Sequence, residues 1–134
     1  MDTVSKDPST QVKWKALKKN VWVIENIEKP SEEMCLYAVK TAWNTLKFIK
    51  NPSDSVLEEA VSVKGWAIQF IEDPSIEIQK RAVEKDWDSI KYVIDPIEEV
   101  QLLAVNSYYG ALKYIKQPTL NVKRRAIADR KSVV

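Results

Sequence analysis

Histidine and cysteine, two side chains that catalysis and metal binding recruit most often, are almost absent from this chain. There is no histidine, so the commonest general base and metal ligand is missing. Cys35 is the single cysteine. A reactive thiol needs a neighbouring base or a positive environment, and no histidine can supply one, so Cys35 is expected to be an inert, packing thiol. Asp86 and Asp88 flank Trp87; paired carboxylates can act as acid and base, but such pairs are common in turns. Gly65 and Gly110 are the only glycines, so no glycine-rich phosphate loop exists. These residues predict no catalysis, no cofactor and no metal site. Binding chemistry is better represented. Trp22, Trp43, Trp66, Trp87 and Tyr109 form one series of rings, and Phe48, Phe70, Tyr92 and Tyr114 a second. Such rings can stack bases or grip a peptide. The alternative is that they plug grooves between repeated units.

The second alternative has substance because the chain is a strict repeat. Pro8, Pro30, Pro52, Pro74, Pro96 and Pro118 follow one another at intervals of 22 residues. Eight residues after each proline stands an alanine: Ala16, Ala38, Ala60, Ala82, Ala104 and Ala126. Unbroken spacing of this kind marks a tandem array of one supersecondary unit. With proline as position zero, position four is apolar (Val12, Met34, Val56, Ile78, Val100, Val122), and so is position nine (Leu17, Val39, Val61, Val83, Val105, Ile127). The spacing four, eight, nine is helical and incompatible with a strand. Asp7, Asn51, Asp73 and Asp95 precede prolines, which predicts that they cap helices whose first residue is the proline. Lys29 and Gln117 break that pattern, so the helices after them should start less firmly. Position sixteen (Ile24, Leu46, Ile68, Ile90, Leu112, Val134) and position nineteen (Ile27, Ile49, Ile71, Val93, Ile115) predict a short second helix, ended by the next proline. The invariant alanine lets adjacent helices approach to about 8 Å.

Segments such as Asn51-Pro52-Ser53-Asp54-Ser55-Val56 and Pro96 to Val105 (PIEEVQLLAV) resemble short helical repeats of the "NPSEEVQLxAV" type. Those repeats belong to a family of unknown function, frequent in proteins of phages and large DNA viruses, and are similar to HEAT, armadillo and leucine-rich-repeat-variant solenoids. The likeness covers residues 8–134 and implies no catalytic motif. It implies a viral or phage setting, in which a solenoid without chemistry would sequester or block a host factor in the host cytoplasm. The expected fold is all-α: a right-handed α-solenoid of six 22-residue helical hairpins (8–29, 30–51, 52–73, 74–95, 96–117 and a truncated 118–134), preceded by an N-terminal arm, 1–7.

Partner-binding residues are sought where the repeat is broken. Positions six and seven face away from the expected core. They hold Trp14, Leu36, Tyr37, Leu102 and Leu103 in some repeats, but Glu58, Glu59, Lys80 and Arg81 in the middle ones. Grouped apolar residues there predict a patch for a partner protein or a second copy of the chain, as in a homodimer. Contact with the N-terminal arm, or partial burial at a unit boundary, is the competing explanation.

Charge is also uneven. The first repeat has five basic residues (among them Lys13, Lys15, Lys18 and Lys19) against two acidic ones; the third has one against five. The last has five (among them Lys123, Arg124, Arg125 and Arg130) against one. The basic ends are either polar caps for the array or a clamp for an anionic partner. The acidic third repeat would interrupt a continuous basic groove, which counts against nucleic acid. A net charge of +2 gives no general pull toward polyanions. No run nears the roughly 18 apolar residues of a membrane span, and one cysteine with no apolar leader predicts a cytoplasmic setting. An enzyme on a HEAT-like scaffold, such as a base glycosylase, would need a basic tryptophan-lined cleft with a lone carboxylate, which the sequence does not identify.

Overall fold

A computed structural model describes residues 8–132; the arm 1–7 and Val134 lie outside the described residues. Among those described, the chain is all-α and contains no strand. Six α-helices, α1 (Pro8–Lys19), α2 (Glu32–Thr41), α3 (Asp54–Val63), α4 (Ile76–Lys85), α5 (Glu98–Ser107) and α6 (Leu120–Ser132), alternate with five 3₁₀ helices, Val21–Asn26, Trp43–Phe48, Gly65–Phe70, Trp87–Tyr92 and Tyr109–Tyr114. The short second helix of each repeat is thus 3₁₀. With three residues per turn, side chains three apart eclipse one another. That places position sixteen over position nineteen and explains the step of three in the sequence. Each 3₁₀ segment ends with the N–H of position nineteen donating to the carbonyl of position sixteen, as in Ile49 to Leu46 at 3.1 Å and Ile71 to Ile68 at 3.0 Å.

The helix starts differ from the expected pattern. In α1 the proline is indeed the first helical residue. In α2 and α4 it lies outside, and Ser31 and Ser75 are the caps, accepting from Met34 N and Ile78 N at 3.2 Å each. Ser53 and Thr119 accept from Val56 N and Val122 N in the same way. The helices after Lys29 and Gln117 therefore start on ordinary side-chain caps. Ile97 is the exception, since it caps α5 with no side-chain bond. Asn51, Asp73 and Asp95 do not cap; with Lys29 they turn the chain through the left-handed region, at φ 50–56°. Asn and Asp tolerate that region because their short polar side chains bond locally. Lys29 lacks that compensation. Asp7 lies outside the described residues.

The helix ends use the alanine column. After α2, α4 and α5 the N–H of Ala42, Asp86 and Tyr108 donates to the carbonyl of Ala38, Ala82 and Ala104, at 2.8, 3.0 and 3.1 Å. Backbone at those residues is extended, with φ between −140 and −159°, and swings the chain directly into the 3₁₀ helix.

The chain forms two compact units, Met1–Ala60 and Val61–Val134, divided within α3. In the first, α1 and α2 pack on each other and on the 3₁₀ helices Val21–Asn26 and Trp43–Phe48. Leu17, Ile24, Ala38, Val39 and Leu46 are buried between them. In the second, α4, α5 and α6 lie side by side as one layer, and the three 3₁₀ helices form another. Ile68, Val83, Ile90, Val100 and Val105 are buried between these layers.

Ala38, Ala60, Ala82 and Ala104 are wholly buried and Ala126 nearly so, whereas Ala16 is exposed. Val12, one helical turn before Ala16, is 67% exposed, and Ile127 is 51% exposed. These three sit on faces of α1 and α6 that no other described repeat covers. A further column is small and buried at position fifteen: Thr45, Ala67, Ser89 and Ala111 are 0% exposed. Small side chains there let the 3₁₀ helices within each unit approach one another. Gly65 completes the contact, because a Cβ on it would collide with Ala82 O and Ser89 Oγ.

Candidate partner-binding surface

The patch residues fall on α-helices, one or two residues before the alanine column. In the first unit, Trp14 of α1 and Tyr37 of α2 meet edge to face, with ring centroids 5.8 Å apart and planes at 72°. Leu36 lies beside Tyr37, and all three side chains are half-buried. Lys18 stands 5.7 Å from the Trp14 ring, within range of a cation–π contact. In the second unit, Leu102 and Leu103 are half-buried on α5. At position six of α4, Lys80 reaches across to Glu99 of α5 at 2.9 Å. That hydrogen bond and the charge of Glu99, with Glu77 adding to it, hold the Lys80 ammonium above its ordinary pKa. Position six thus carries an apolar helix-to-helix contact in one place and an ionic one in another.

The basic residues are mostly solvated. Lys15, Lys18 and Lys19 are exposed and Lys13 is half-buried; Lys123, Arg124, Arg125 and Arg130 are exposed. Arg125 is engaged, its Nε donating to Asn106 Oδ1 at 2.7 Å.

The rings pack between repeats. Trp22 meets Phe48 edge to face at 6.0 Å, and Trp87 stacks on Tyr114 at 6.1 Å and 28°. A ring of the first series thus rests on a ring of the second, one repeat further on. Such pairs contribute about 0.5–1.5 kcal/mol beyond burial. Lysines at position seventeen lie near these rings: Lys47 by Phe48 at 5.2 Å, Lys91 by Tyr92 at 5.3 Å and Lys113 by Tyr114 at 5.2 Å. Lys91 also comes within 4.8 Å of Trp66. Tyr108 extends the cluster, 4.8 Å from Trp87 and 5.0 Å from Tyr109, and is 43% exposed.

Asp86 and Asp88 are engaged in joining repeats. Asp86 Oδ2 accepts from Gly65 N at 2.8 Å and Oδ1 pairs with Lys64 at 3.6 Å; Asp88 Oδ1 accepts from the Trp66 indole at 2.8 Å. The sequence signal for this role was the separation of about one repeat between partners. Cys35 is buried, and burial, followed by the nearby Glu32 charge, pushes its pKa up, which suits an unreactive thiol. Among the described residues no three or more Cys, Asp or Glu side chains converge as a metal site, and no helix is long and apolar enough to cross a membrane.

A groove that no sequence motif marks runs along the turn edge of the first unit. It lies between the turns that precede α2 and α3, has a volume of about 630 Å³ and has Cys35 in its lining. Comparison with family models, curated proteins and solved structures finds no match for this chain.

Proposed function

We propose that this chain is a non-catalytic helical-repeat protein that binds another protein. The observation that carries this reading is the Trp14–Leu36–Tyr37 patch. Its residues are half-buried, and the equivalent places in the middle repeats are charged. Positions four and eight, which serve the internal seam, keep their residue class in every repeat, and positions six and seven do not. Trp and Tyr are enriched among interface hot spots. Leu102 and Leu103 form a second apolar place of the same kind on α5. The resemblance to viral repeat proteins adds the proposed setting, in which the chain sequesters a host factor in the host cytoplasm.

The second reading is single-stranded nucleic acid, favoured by exposed Tyr108 beside Trp87 and by lysines next to rings. Capture from cell lysate on the immobilised chain separates the two. The protein-binding reading expects a stoichiometric protein that survives nuclease treatment. Retention that disappears with nuclease, or that falls steeply with salt on heparin and single-stranded DNA columns, replaces it with the second.

A further inference from the structure

Two grooves occupy the same place in the repeat, one in each unit, and they differ in size and charge. In the second unit the groove between the turns before α5 and α6 has a volume of about 330 Å³. Gln101 spans it: its Nε2 donates to Pro96 O at 2.8 Å and its Oε1 accepts from Thr119 N at 3.2 Å. In the first unit the corresponding residue is Cys35, too short for either bond, and the groove opens to about 630 Å³. A second departure falls on the same spot. Asn26 lines the larger groove, at a position where the next four repeats carry Phe48, Phe70, Tyr92 and Tyr114. A short side chain on α2 thus replaces the one that bridges the smaller groove, and Asn26 enters the lining where its counterpart Tyr92 does not. The size of the larger groove is that of pockets that hold small ligands or peptide side chains, about 300–1,000 Å³.

The linings are also opposite in charge. The small groove is lined by Lys91 and Lys116 against Asp95. The large one has Glu25, Glu28 and Glu32 against Lys29 and Lys50, above an apolar floor that includes Ile27 and Ile49. Burial and Glu32 keep the Cys35 thiol neutral, so it extends the apolar floor. An occupant must bring an apolar body and an excess of positive charge. We infer that the groove between the turns before α2 and α3 is a docking site for a peptide segment that presents an apolar residue next to an arginine or lysine. The site shares no residue with the Trp14–Leu36–Tyr37 patch and does not depend on it.

The test uses the amide NMR spectrum of the whole chain. Two capped pentapeptides serve as probes, one with leucines flanking a central arginine, the other with glutamate in place of the arginine. The arginine peptide is expected to shift amides of residues 25–35 and 48–53 and to leave 91–96 and 114–117 unchanged; the glutamate peptide is expected to shift neither set. Asn26→Phe, which restores the ring, and Glu28→Lys, which alters charge on an exposed residue without filling the groove, should each weaken binding by about tenfold or more. The proposal is overturned if neither peptide shifts the first set, if both peptides or both grooves respond alike, if Glu28→Lys binds as the parent does, or if n-butylamine reproduces the response of the arginine peptide.

Discussion

Trp66 donates its indole N–H to Asp88 Oδ1 at 2.8 Å, across a separation of one repeat length. The bond explains an irregularity of the aromatic column. Rings stand at position fourteen in the first and third repeats (Trp22, Trp66) and at position thirteen in the second, fourth and fifth (Trp43, Trp87, Tyr109). The shift frees position fourteen of the fourth repeat for a carboxylate, which meets the ring of the third. Lys64 and Lys91, at 4.2 and 4.8 Å from the same ring, complete the contact.

A double-mutant cycle with Trp66→Phe and Asp88→Ala should give a coupling of about 1–2 kcal/mol in denaturant unfolding, since the bond involves a charged acceptor but is only part-buried. Additive single effects would show that the bond does not join the repeats.

Ser75→Ala should cost about 1 kcal/mol by removing a cap, and Ile97→Ser should stabilise by a similar amount by adding the missing one. Asp73→Gly should be tolerated, because glycine adopts the left-handed φ of 56° freely and no cap bond is lost; a loss equal to that of Ser75→Ala would return the cap to Asp73.

Lys29 occupies the left-handed region at φ 52°, which costs an ordinary residue roughly 1–2 kcal/mol. Lys29→Asn should raise the thermal midpoint, whereas the same change at exposed Lys40 of α2 should lower it slightly, because asparagine is the poorer helix former.

Ala82→Leu should overpack the seam and cost about 1–3 kcal/mol, while Ser62→Leu on the exposed face should be near neutral. Ala16→Leu should be tolerated like Ser62→Leu, because Ala16 is the one exposed member of the column.

These contrasts show how much was legible in the residues alone. The repeat, its helical phase and its buried positions follow from proline, alanine and apolar spacing, because a periodic core writes a periodic sequence. The cap was misassigned by two residues, since Asp-Pro and Pro-Ser are both good helix-start signals and spacing does not choose between them. The 3₁₀ form was present only as a step of three. The groove at Cys35 was not legible, because a cysteine where another repeat has Gln101 does not announce a missing bridge between two turns. The aromatic contacts required knowing which face each 3₁₀ helix turns toward the next.

The Cys35 thiol should titrate above the ordinary thiol range. Its alkylation by iodoacetamide should therefore rise only at higher pH than in the unfolded chain, and Glu32→Gln should move the profile partway back. A raised acid pKa also means that this group's contribution to stability is whole below the unfolded thiol pKa and is lost as pH rises through the folded one.

The most direct test of the protein-binding reading is stoichiometric capture of a partner from lysate by the parent chain and by the double variant Tyr37→Ala, Leu103→Ala, with circular dichroism and thermal unfolding recorded on both. The reading predicts that the variant keeps its helical spectrum and a cooperative transition while losing the nuclease-resistant protein partner. Equal capture by a folded variant would contradict it, and an unfolded variant would return Tyr37 and Leu103 to the core.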